Sequence, residues 1–284
     1  MEGKRIGWGC GIEILRRTLR EREGLKMERL SNQEGKGPGW LMDNEFGWKA
    51  RLGLVTPSRG WTVEHEWPRM LPRGVSYLVA RIPLQATTPE ELLKMGEHAI
   101  DGARLLASAS VDLICYGCTV ETILQGIEYD KRLTEELQEA TGIPAKTMAG
   151  AVVEALREVK AQKVAVVTPY IEEINKREKG FLESLGFEVV YERGLGISET
   201  VEIAKVSPAT VYQLGREAFS KAPEADTLFL SCGNLRTIEI LSALEKDTGK
   251  PAISSNQALL WGALQMVGVR ETIYGFGSLL ERPR

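Results

Sequence analysis

Two short stretches decide the fold: Leu54-Val55-Thr56-Pro57 and, further along, Val166-Val167-Thr168-Pro169. Each is an apolar, β-branched run closed by a residue that ends a strand. Two other landmarks repeat in the same order. Val111–Cys118, an apolar run ending in Cys, returns as Asp226–Cys232. Thr141-Gly142-Ile143-Pro144-Ala145 returns as Thr248-Gly249-Lys250-Pro251-Ala252. The offsets are 112 from Thr56 to Thr168, 114 from Cys118 to Cys232 and 107 from Pro144 to Pro251. A nearly constant offset across three landmarks predicts two similar halves related by duplication.

Between these landmarks, short Val/Ile/Leu-rich runs (Val75–Ala80, Glu188–Tyr191, Thr227–Ser231) alternate with amphipathic stretches such as Pro89–Ser108, Tyr129–Thr141 and Pro208–Ala222. Strand and helix in steady alternation means βαβ units and parallel sheets covered on both faces. The expected architecture is therefore α/β: two similar subdomains with parallel sheets, related by a pseudo-twofold, with the active site between them. The expected boundaries are residues 47–158 plus 257–284 for the first subdomain and 159–256 for the second. Residues 1–46 read as an N-terminal extension dispensable to the fold; an oligomer-contact helix and a targeting segment are the other readings of it.

Composition narrows the function. The chain has 284 residues, 43% of them hydrophobic, enough for a large core. Its formal net charge of -3 leaves no electrostatic footprint for nucleic acid and no polybasic anchor for a membrane. No apolar run approaches the ~20 residues of a spanning helix, and no apolar signal segment opens the chain. A cytoplasmic location is expected. Gly7-x-Gly9-x-Gly11 follows no strand and is not a dinucleotide fingerprint.

The chemistry is expected at the cysteines. Open α/β sheets bind ligands at the carboxyl ends of their strands, so a pseudo-twofold would set Cys118 and Cys232 facing each other across one cleft. Other readings compete. Cys115-Tyr-Gly-Cys118 as half a zinc site needs two further ligands from His65, His98, Cys10 and Cys232, with no second ligand pair in the sequence. As a redox pair it would follow a strand and precede a helix, yet Cys115 belongs to the apolar run and reads more simply as a buried strand residue. For the Cys118/Cys232 pair, a turn into a helix N-terminus would favour thiolate and supply N–H groups to a carboxylate. Two opposed thiols form an acid–base pair for proton transfer next to a carboxylate. Alternatively, a thiolate adds to an activated double bond, allows rotation and leaves again. Neither route needs a metal or an organic cofactor.

At these residues the sequence resembles the aspartate/glutamate racemase superfamily, in its maleate isomerase and arylmalonate decarboxylase branch, and is particularly similar to that branch's ectoine-utilisation proteins. The stretches that carry the resemblance are Leu52–Ser58, Tyr116–Thr119, Val167–Asn175, Leu230–Thr237 and Ser254–Trp261. It implies flavodoxin-like subdomains, a homo-oligomer, a small carboxylate or dicarboxylate substrate, and Cys118 and Cys232 as the catalytic pair. Thr119 and Tyr170 match residues that donate hydrogen bonds to a substrate carboxylate, as would N–H groups at Cys118, Cys232 and Gly233. Ser58 and Asn234 complete the implied substrate-binding set.

Because the decarboxylases carry Gly at the first thiol position, Cys118 favours an isomerase or racemase. Against maleate, the first loop reads Pro57-Ser58-Arg59-Gly60, with Gly where the isomerases have a carboxylate-binding Asn, and Val120 replaces a common Ser. Arg59 either clamps the carboxylate in place of that Asn or points to solvent. The alternatives are a decarboxylase in which Cys232 alone donates the proton, and a catalytically silent carboxylate-binding protein. Trp61 and Trp67, flanking His65 in the first long loop, either close over the cleft or pack the loop down. Gly194 and Gly196 line the cleft if the family geometry holds.

Overall fold

The computed structural model describes residues 46–84 and 88–282. The N-terminal extension thus lies almost entirely outside the described residues.

Eight strands form two four-stranded parallel sheets. The first contains β1 (Ala50–Pro57), β2 (Val75–Ile82), β3 (Leu113–Tyr116) and β4 (Ala145–Thr147), in the order β2-β1-β3-β4. The second contains β5 (Lys163–Thr168), β6 (Glu188–Gly194), β7 (Thr227–Leu230) and β8 (Ala252–Ser254), in the order β6-β5-β7-β8. The two orders are identical, so the duplication predicted from the repeated landmarks is present in the topology, and each half has the doubly wound, flavodoxin-like pattern.

Eleven helices are found among the described residues: α1 (Thr62–Met70), α2 (Pro89–Ser108), α3 (Thr119–Gln125), α4 (Ile127–Thr141), α5 (Met148–Glu158), α6 (Glu172–Ser184), α7 (Thr200–Ile203), α8 (Pro208–Lys221), α9 (Leu241–Thr248), α10 (Ser255–Met266) and α11 (Ser278–Glu281). None is long and apolar enough to cross a membrane.

The repeated Thr-Gly-x-Pro-Ala segments do the same local work twice. Gly142 and Gly249 close α4 and α9 in the left-handed conformation, both at φ 68°, where a side chain would be strained. The preceding Thr141 and Thr248 hydroxyls donate back to the carbonyls of Leu137 and Leu244, each at 2.7 Å. After the following strands, Thr147 and Ser254 cap the next helices by accepting from Gly150 N–H at 3.1 Å and Gln257 N–H at 3.4 Å.

Those two capped helices, α5 and α10, pack on each other and join the halves. One core cluster combines inward strand residues of both sheets (Leu52, Leu54, Leu113 and Cys115; Val164, Val166, Phe229 and Ile253) with the apolar faces of α5 and α10. Alternate strand residues such as Val55, Ile114, Val167 and Leu228 face outward beneath the remaining helices, which is the period-two alternation of a sheet covered on both faces.

The segment after β1 departs from the expected loop. Thr62–Met70 is helical, with Val63, Glu66, Trp67 and Met70 on its buried face. Pro68 inside this helix leaves the Glu64 carbonyl without its helical donor. The Tyr77 hydroxyl supplies one instead, at 3.0 Å. Trp67 is buried, its Nε1 donating to the Asn256 carbonyl at 3.2 Å, whereas Trp61 is half-exposed.

Candidate active site

The ends of β1, β3, β5 and β7 converge on one cleft, holding about 40 Å³ of space open to the centre of a water molecule. Cys118 and Cys232 both line it, with Thr119, Tyr170, Gly233 and Asn234. Val63, Leu84, Leu92, Val120 and Ile203 make an apolar wall, and Gly60 leaves the wall bare where the first loop passes.

Cys118 sits where its half of the repeat puts it. It is the N-cap of α3, in extended conformation, and the N–H groups of Val120 and Glu121 lie on the side of its sulfur without forming a capping hydrogen bond. Burial and the adjacent Glu121 carboxyl push the thiol up more strongly than those N–H groups pull it down. The Thr119 hydroxyl donates to the Met148 thioether at 2.9 Å.

Cys232 differs from the expectation of a second helix N-terminus. Turns follow it, and α9 begins only at Leu241. Its backbone has φ 108°, a region that L side chains rarely occupy, and its N–H donates to Ser255 Oγ at 3.1 Å. The Leu235 N–H donates to the Cys232 carbonyl at 3.2 Å, while the sulfur accepts from Asn234 N–H at 3.4 Å, with the Tyr170 hydroxyl as a further donor. Burial pushes this thiol up to about 11, and those donors hold it below Cys118. Both groups rest as thiols at neutral pH, with Cys232 the more easily ionised. Strain at such a position is of order 1–3 kcal/mol. Cys232→Gly is therefore expected to melt above Cys232→Ala, by about 1 kcal/mol in chemical denaturation; equal stabilities would show that the position is not strained.

Tyr170 is held by a bonded turn. The Thr168 hydroxyl donates to Asn175 Oδ1 and accepts from Tyr170 N–H at 3.1 Å, and Asn175 Nδ2 donates to the Tyr170 carbonyl at 3.3 Å. Gly194 packs against this turn, where a Cβ would lie 2.7 Å from the Tyr170 carbonyl oxygen. Neither Gly194 nor Gly196 is among the cleft-lining residues.

Three expected substrate contacts are placed otherwise. Ser58 is outside the lining, its hydroxyl accepting from Leu84 N–H at 3.2 Å. Arg59 is also outside, paired with Glu199 at 3.6 Å. Asn234 lines the cleft, but its amide is engaged: Oδ1 accepts from Trp61 N–H at 3.0 Å and Thr62 N–H at 3.2 Å, and Nδ2 donates to the Thr200 carbonyl at 2.6 Å. It thereby caps α1 from across the cleft and ties the Cys232 loop to both halves.

Of the ligands considered for the rival cysteine chemistry, Cys10 lies outside the described residues. Cys115 points into the central core, is pushed up to about 12 by burial, and is a free thiol like Cys118 and Cys232. Among the described residues no cluster of His, Cys, Asp and Glu could hold a metal.

Sequence reading missed Glu66, fully buried on α1. It accepts from Thr237 N–H at 2.7 Å, Ile238 N–H at 3.2 Å and Asn256 Nδ2 at 2.6 Å. The signal was available in the helical spacing of Val63, Glu66, Trp67 and Met70, which places this carboxylate on the apolar stripe.

Two parallel halves with a thiol on each side of a shared cleft define the class of the aspartate/glutamate racemase superfamily. The family model for arylmalonate decarboxylase matches residues 52–280, and the chain belongs to that family. It is 31% identical to an arylmalonate decarboxylase of Bordetella bronchiseptica over 217 residues, covering 76% of this chain and 90% of the relative. It is 30% identical to a maleate isomerase of Pseudomonas putida over 243 residues, covering 81% and 96%. A cysteine-to-serine variant of the Nocardia farcinica maleate cis-trans isomerase, with a covalently bound succinylcysteine intermediate, superposes with a TM-score of 0.78 at 26% identity, covering 83% of this chain and 99% of that one. The fold and these relatives make the chain an enzyme of the isomerase-or-decarboxylase branch.

Proposed function

We propose that the chain is a cofactor-independent isomerase or racemase acting on a small carboxylate through Cys118 and Cys232. The observation that carries this reading is the presence of both thiols in one cleft, Cys118 at the start of a helix and Cys232 with the Asn234 N–H at its sulfur. In racemisation, one thiolate removes the proton next to the carboxylate and the opposite thiol delivers its own to the other face, so the two exchange charge. In cis–trans isomerisation, one thiolate forms a C–S bond to the alkene and the other thiol protonates the neighbouring carbon. The central bond turns, that proton is taken back and the C–S bond breaks. Thr119, Tyr170 and the Gly233 N–H are the proposed carboxylate donors, the two hydroxyls turning from Met148 and the Cys232 sulfur to the substrate and supporting the electron-rich intermediate.

A second reading is favoured by the apolar wall and by Gly60. An arylmalonate-type decarboxylase would seat an apolar substituent there and use Cys232 alone as proton donor. Proton NMR in deuterated water, over maleate, aspartate, glutamate, an N-carbamoyl amino acid, an arylmalonate and an ectoine-breakdown amino acid, tests both. Conversion of maleate to fumarate or loss of an α-proton signal supports the thiol pair. Carbon dioxide release from the arylmalonate alone supports the second reading, and silence across the panel overturns both.

A further inference from the structure

The Cys232 loop is held in place from one buried point. Glu66 reaches over from α1 and gathers two successive N–H groups, of Thr237 and Ile238, on Oε1. Its Oε2 accepts from Asn256 Nδ2, and the same amide nitrogen donates to the Gly233 carbonyl at 3.0 Å. The chain of contacts therefore runs from Glu66 through Asn256 to the peptide joining Gly233 to Asn234, whose N–H approaches the Cys232 sulfur. All of these partners of Glu66 are neutral donors, and Glu239, the charged group acting on it, is another acid. A buried carboxylate without a cation is a costly way to fill a core. What this one provides is a rigid anchor for a loop whose first residue has an unfavourable backbone conformation.

We propose that Glu66 is the positioning residue of the Cys232 thiol, acting through Asn256 to hold the Gly233–Asn234 peptide so that its N–H faces the sulfur. This rests on the reading of Cys232 as a thiol that acts on substrate, but it is tested without one. A carboxylate is required, because a Gln here would keep one acceptor for Thr237 and Ile238 and turn an N–H₂ toward Asn256 Nδ2. Donor would face donor, and the Asn256 amide would have to leave the Gly233 carbonyl.

The test is iodoacetamide alkylation of the full chain at pH 8.5, where Glu66 is ionised, read site by site by peptide mass spectrometry, in wild type, Glu66→Gln and Asn256→Ala. Both variants should slow Cys232 alkylation by about tenfold, the equivalent of one pKa unit, and leave Cys118 at its wild-type rate. A merely structural role would move both thiols together or neither. Unchanged Cys232 reactivity in a folded variant, or equal slowing of Cys118, overturns the proposal. Asn256→Ala leaves the Glu66 contacts to Thr237 and Ile238 in place and decides the matter if Glu66→Gln does not fold. A wild type inert toward every acid would sink the functional reading and leave this result standing.

Discussion

Cys118→Ala is expected to lower isomerisation or racemisation by roughly 10²–10⁴-fold, the range for loss of a positioned proton-transfer group, while the protein keeps its fold. The thiol fills little of the core: Cys118 lies at the cleft and caps α3 through its backbone, with no side-chain capping bond to lose. Cys232→Ala should cost a similar factor, since each half-reaction needs the opposite group. The two losses should not multiply in the double variant, because residues acting as a unit are non-additive. Steady-state rates of the three variants, with a thermal melt as control, check this. Full activity in Cys118→Ala would reduce the site to one thiol and favour decarboxylation by Cys232.

A second large effect is expected in stability against pH. Burial pushes Glu66 and Glu121 up to about 7 and Glu178 up to about 8, against 4.5 for an ordinary glutamate. The folded chain therefore binds more protons than the unfolded one between pH 4.5 and 8, and stability falls as pH rises through that window. Ionising each group costs on the order of 3 kcal/mol. Between pH 6 and pH 8 the three together should remove about 4–5 kcal/mol, on the order of 10 °C in melting temperature. Urea denaturation at pH 6, 7 and 8 measures it. Glu178→Gln should flatten the curve most, since its carboxyl titrates highest and both its oxygens are buried without a hydrogen-bond partner among the described residues. Stability that is flat or rising from pH 6 to pH 8 would contradict this account of the buried acids.

The features written locally were legible in the sequence. Thr141-Gly142 and Thr248-Gly249 mark helix ends because only a residue without a Cβ sits easily at φ 68°. The apolar runs before Cys118 and Cys232 mark strands whose carboxyl ends must share a cleft once the halves pair. What was not legible depends on partners far apart in the chain. The pairing of Glu66 with Thr237, Ile238 and Asn256 spans more than 170 residues, and no local pattern announces it. Asn234 shows the same limit: beside a thiol in sequence it suggests a substrate contact, whereas in space it meets the unpaired N–H groups at the start of α1. Cys232 departs from its counterpart for a related reason. Bonds from both halves hold the loop after it, so the helix that begins directly after Cys118 is delayed to Leu241 in the second half.

For racemisation, the claim that two thiols work on opposite faces of one carbon is tested most directly by the stereochemistry of solvent hydrogen. Wild-type enzyme would be incubated in deuterated water with a single enantiomer of whichever α-substituted acid the panel identifies, and the products separated by configuration. The account predicts that deuterium enters mainly with inversion, giving the opposite enantiomer labelled at the α-carbon while recovered starting material stays largely unlabelled early in the reaction. Exchange with retention of configuration only would place a single acid–base group on one face and contradict it.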